Sequence, residues 1–96
     1  MSDNQKAIDA CVGGKIDVIK NLHINGIVLD QTVLESAAEN GQLEIVQYLV
    51  ETCGLKVLAN KREAMKRATN NGHSAIFFYL QKKAFDEINA TPIKLP

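Results

Sequence analysis

The side chains best suited to chemistry in this 96-residue chain are two cysteines, Cys11 and Cys53, and two histidines, His23 and His73. A zinc site draws about four ligands from closely spaced pairs, and these four are scattered one to a segment. A cysteine nucleophile needs a base within hydrogen-bond reach and access to water, whereas Cys11 occupies a helix-packing position. Gly13-Gly14-Lys15 offers the glycines and lysine of a phosphate loop without its remaining residues or the strand before it. No catalytic, metal or cofactor constellation emerges, so the chain reads as non-enzymatic, with no cofactor and no small-molecule substrate, and both histidines read as structural.

Charge is the next source of chemistry. Eleven basic residues balance eleven acidic ones, which argues against a generic polyanion binder. The distribution is uneven: residues 1 to 48 carry net −4 and residues 49 to 96 net +4. Lys61, Arg62, Lys66 and Arg67 form a basic patch within about two helical turns. It reads first as a solvated face. The alternatives are an acidic protein partner, head-to-tail association of oppositely charged ends, or nucleic acid. Nucleic acid is the weakest of these, because no aromatic residue is interleaved with the bases for stacking and no reader motif is present.

The elements that would position these groups follow from one stretch, Ala37-Ala38-Glu39-Asn40-Gly41-Gln42-Leu43-Glu44-Ile45-Val46-Gln47-Tyr48-Leu49. Thr32 stands three before Glu35, the spacing of a capping box at a helix start. A helix opening there turns Val33, Leu34, Ala37 and Ala38 inward, and Gly41 ends it. Beyond Gln42, Leu43, Ile45, Val46, Leu49 and Val50 make the apolar face of a second helix, with Glu44, Gln47 and Glu51 opposite. Two short helices of this kind are not stable without packed neighbours. The chain supplies them: Ala10 to Leu22 and Ala68 to Leu80 align with Ala37 to Leu49 without a gap. Ser2 with Gln5 predicts a cap for the first helix, and Asn60 with Glu63 a cap for the third repeat.

Leading alanine, glycine, the paired apolar residues and closing leucine resemble the ankyrin repeat family. The resemblance implies an all-α, ankyrin-like solenoid of three antiparallel helix pairs. The alanines are spaced by 27 and 31 residues against about 33 in the family, so the β-hairpin fingers are expected to be short or absent. One domain over 1–96 is expected, with repeats at approximately 3–29, 30–59 and 60–85, and 86–96 as a C-terminal cap or vestigial fourth repeat. The family's function implies a protein–protein interaction module that binds another protein through a concave helix and turn surface. Carried over, the contact positions are Val12 and Gly13, Glu39 and Asn40, and Asn70 and Asn71, with Gln31 and Arg62 just ahead of the helices. Val12 and Gly13 suit contacts poorly, which leaves Gln31, Glu39, Asn40, Arg62, Asn70 and Asn71. A structural fragment of a longer repeat array is the remaining alternative.

The third repeat departs from the other two. It places Ala75 and Phe78 where they have the solvent-facing pairs Glu44 with Gln47 and Asp17 with Lys20. Phe78 is therefore predicted to point outward, to be covered by a tail folding back from Phe85 to Leu95 or by a dimer or partner contact. A monomer or weak dimer is expected. No apolar run is long enough for membrane insertion, and the polar start lacks a signal peptide's apolar region. With two cysteines in separate repeats, the expected compartment is cytoplasmic.

Overall fold

The computed structural model describes residues 3–90, apart from the side chains of Asn60, Lys61 and Ala90. Helix α1 (Asp3–Gly13) pairs with α2 (Ile16–Ile24), α3 (Gln31–Glu39) with α4 (Leu43–Glu51), and α5 (Ala59–Asn70) with α6 (Ser74–Ala90). The first helices form the spine, α3 lying between α1 and α5, while α4 touches α2 and α6 in the second row. No strand occurs among the described residues, and the stretches between pairs, 25–30 and 52–58, are turns and irregular chain. The fingers are absent there.

Small residues make the spine possible. Ala37, Ala38 and Ala68 are fully buried, Ala10 nearly so, and Ile19, Leu34, Ile45, Val46, Leu49, Ile76 and Leu80 complete a single continuous core. Side chains this short let helix backbones approach closely, and the branched residues fill the gaps.

Each first helix ends in the same way. The N–H groups of Lys15, Gln42 and His73 donate to the carbonyls of Ala10, Ala37 and Ala68 at 2.8, 3.0 and 2.8 Å. The intervening glycines, Gly14, Gly41 and Gly72, have φ of 69°, 74° and 74°. This is a Schellman closure, which satisfies otherwise orphaned carbonyls and requires a left-handed residue. The residue after each glycine also covers the glycine of the preceding repeat. A Cβ on Gly14 would meet the Gln42 side chain at 3.1 Å, and one on Gly41 would meet the His73 ring at 2.7 Å. Gly72 has nothing within 4 Å.

The helix starts correct three expectations. The N-cap of α3 is Asp30, whose Oδ1 accepts from the Val33 N–H at 3.3 Å. Thr32 lies inside the helix, so the Thr32–Glu35 capping box does not form; an aspartate two residues earlier already satisfies the donor. Asn60 likewise lies inside α5, whose N-cap is Leu58 without a side-chain bond of its own. The cap is supplied from α6: the Glu87 carboxylate accepts from the N–H groups of Val57 at 2.6 Å and Leu58 at 3.1 Å. Ser2 lies outside the described residues. The third correction concerns the tail. Phe85 to Ala90 do not fold back but continue α6, which brings Glu87 to the start of α5; residues 91–96 lie outside the described residues.

The Glu87 contact carries a stability prediction. A carboxylate on two free N–H groups at a helix start is favoured by both hydrogen bonding and the helix dipole. Glu87→Ala should cost about 1–2 kcal/mol, read as a lower urea midpoint, and Glu87→Gln should recover part of it. An unchanged midpoint would show that water replaces the carboxylate without loss.

Candidate interaction surface

The turns that close the first helices carry Glu39, Asn40, Asn70 and Asn71 at repeat-related places, whereas Gln31 and Arg62 lie at the other ends of α3 and α5 and, contrary to expectation, within the helices rather than just ahead of them. Glu39, Asn70, Asn71 and Arg62 are exposed, while Gln31 and Asn40 are half-buried. Asn40 and Asn71 hold equivalent positions and make equivalent bonds. Each carboxamide Nδ2 donates one turn back, Asn40 to the Ser36 carbonyl and Asn71 to the Arg67 carbonyl, both at 2.8 Å. The two amides are thereby fixed before any partner arrives. Among the described residues their Oδ1 atoms have no hydrogen-bond donor. Arg62 is the only residue besides glycine with a positive φ among those described, at 62°. Val12 is exposed on α1, as its alignment with Glu39 and Asn70 requires.

The basic patch is smaller than the sequence suggests. Arg67 lies 3.8 Å from Glu35, 3.8 Å from Glu39 and 4.0 Å from Glu63. Its guanidinium serves carboxylates of the middle repeat and of its own helix. Glu35 is only 5% exposed, and a buried carboxylate needs such a partner. Lys66 and Arg62 are exposed. The Lys61 side chain lies outside the described ones. Proximity along the sequence misled here, because Arg67 turns toward α3 whereas Lys66, one residue earlier, does not.

Phe78 is 63% exposed and Phe85 64%. Phe78 meets Phe77 edge-on, with ring centroids 5.6 Å apart. Phe77 in turn lines a groove of about 520 Å3 with Arg62, Met65, Lys66, Thr69 and Gln81. Sequence reasoning missed this groove. The signal for it was present in the repeat alignment: Met65, Lys66, Thr69 and Phe77 correspond to Leu34, Glu35, Ala38 and Val46, all of which are buried in the middle repeat.

The residues considered for chemistry are held apart and occupied. His23 Nδ1 is 2.8 Å from the Tyr48 hydroxyl, and the rings meet edge to face at 5.6 Å. His73 Nε2 donates to the Glu39 carbonyl at 3.0 Å, a link from the third repeat to the end of α3. The Cys11 thiol donates to the Val33 carbonyl at 3.5 Å. Burial pushes it up to about 12, so it remains a protonated packing group rather than a thiolate. Cys53 is half-buried, and burial raises it as well. Among the described residues no three metal-ligating side chains gather, and no helix is long and apolar enough to cross a membrane.

Comparison with known proteins bears directly on this arrangement. A family model of ankyrin repeats in three copies matches residues 7–91. No curated protein matches the chain.

Proposed function

Because the chain belongs to the ankyrin repeat family, whose repeats are generally protein–protein interaction modules, we propose that it binds a partner protein through the helix and turn surface carrying Gln31, Glu39, Asn40, Arg62, Asn70 and Asn71. The observation that supports this most is the pair of equivalent, pre-fixed carboxamides, Asn40 and Asn71. Side chains already ordered lose less entropy on binding, and amide groups hydrogen-bond to peptide groups of any sequence. Glu39 beside them adds a negative charge, and Arg62 a positive one, so the surface suits a polar partner face with both signs. Three short repeats offer a standard-sized interface at most, of about 1,600 Å2, below the area that obligate complexes bury.

The test is affinity purification of the intact protein from its own cells. A partner retained by the natural protein should be lost at least about tenfold, the consequence of removing a contact of roughly 1.4 kcal/mol, when Arg62→Glu or Asn71→Ala is introduced. Phe78→Ser should leave it bound. Retention by the first two variants and loss with Phe78→Ser would place the contact on the end of the stack instead.

A further inference from the structure

The stack has two unlike ends, and they match one another in the register the repeats already use. We propose that the C-terminal end, formed by α5 and α6, binds the N-terminal end of a second copy of this chain, continuing the solenoid head to tail. This end adjoins the turn surface above, sharing Arg62 and Asn70 with it, but the inference is argued from Asp9, Lys15 and Lys66 and does not depend on that reading.

The C-terminal end is an open stacking face. In the middle repeat Leu34, Glu35, Ala38 and Val46 are buried, on helices that both contact the third repeat. Their counterparts in the third repeat are Met65, 9% exposed, half-buried Phe77, and exposed Lys66 and Thr69. Gly72 is bare for the same reason: the glycine of each earlier repeat is covered by the residue following the next glycine, and here no next repeat is present among the described residues.

The N-terminal end supplies what is missing. Between the second and third repeats, Arg67 of the incoming helix faces Glu35 of the outgoing one at 3.8 Å. The residue of α1 that aligns with Arg67 is Asp9, and the residue of α5 that aligns with Glu35 is Lys66. Stacking a second copy therefore recreates the pair with its charges exchanged, Asp9 of one copy opposite Lys66 of the other. Asp9 and Lys66 are both exposed, and Lys66 has no carboxylate in ion-pair range among the described residues. A second match follows from the glycines. Lys15 aligns with Gln42 and His73, so the second copy's Lys15 would lie over Gly72. There its ammonium meets the end of α5, where His73 meets the Glu39 carbonyl one repeat earlier, and a cation is favoured at a helix C-terminus. Lys15 and Asp9 line one groove of about 290 Å3 with Lys6, Ala10 and Val18.

A two-fold dimer through the C-terminal ends would set Lys66 and Arg62 of one copy against those of the other, which like-charge repulsion opposes. The head-to-tail contact joins different patches and does not close on itself, so it builds open chains of copies. Lys6 and Lys15 lie on the same face as Asp9 and offset part of the attraction to Lys66, which makes the association weak.

Sedimentation velocity of the full chain at low salt and rising concentration tests this. The mean mass should climb with concentration past that of a dimer without levelling there, and added salt should reverse it. Asp9→Lys and Lys66→Glu should each weaken association about tenfold or more, the cost of turning one attraction into a repulsion. The double variant carrying both changes should recover it. Circular dichroism of each variant should match the natural protein, both sites being exposed. A natural protein that stays monomeric throughout overturns the proposal. Association that neither single variant weakens, or that the double variant fails to recover, overturns it equally.

Discussion

Gly41→Ala is expected to cost about 2–4 kcal/mol, the sum of a left-handed backbone penalty and local overpacking. The backbone at Gly41 has φ of 74°, and a Cβ there would lie 2.7 Å from His73 Cε1 and 2.9 Å from its Nδ1. That ring cannot retreat freely, because its Nε2 is bonded to the Glu39 carbonyl. Gly72 provides the control. It shares the same φ and has no neighbour within 4 Å, so Gly72→Ala should cost only the backbone part, about 1–2 kcal/mol. Chemical denaturation of the two variants separates the effects, and His73→Ala combined with Gly41→Ala should relieve the difference. Equal losses at Gly41 and Gly72 would mean that the histidine does not latch the third repeat to the second.

The second large effect is at the centre of the second row. Leu49 is fully buried on α4, which packs on α3 and touches both α2 and α6. Leu49→Ala removes three carbons from a site that several helices hold open. It should cost about 3–5 kcal/mol and lower Tm by about 15 °C or more. Phe78→Ser, on an exposed aromatic of similar hydrophobic character, should change stability by no more than about 0.5 kcal/mol. Thermal melts of both variants give the comparison. A Leu49 variant that loses less than about 1 kcal/mol, the scale of a surface change, would show that the middle pair is not the shared core of the stack.

Those two positions illustrate how much of the molecule could be read from residue types alone. The alanine, glycine and branched apolar residues repeat without gaps because each junction reuses one packing solution. The order of helices, the glycine turns and the inward faces therefore follow directly from spacing. Interactions that cross between repeats are different. Glu87 caps α5 from 30 residues away, and no local signal marks it, whereas Asn60 and Glu63 present a local signal that the chain does not use. Arg67 looks like one more base in a cluster, and only the position of α3 beside α5 turns it into the counter-ion of Glu35. For the contact surface, spacing indicates which residues follow each turn. It does not indicate that Asn40 and Asn71 are pinned to the helical turn behind them.

The long-distance cap on α5 has a consequence for how the chain is made. As synthesis proceeds, the first two helix pairs have their own caps and turns once residue 51 or so has emerged, and the outer face of the middle pair then awaits α5 and α6. The third cannot set in the same way. The beginning of α5 waits for a carboxylate that is translated 30 residues later, so the last pair must be complete before its own first turn is secured. In the third repeat the order along the chain thus reverses, and a later helix fastens the beginning of an earlier one.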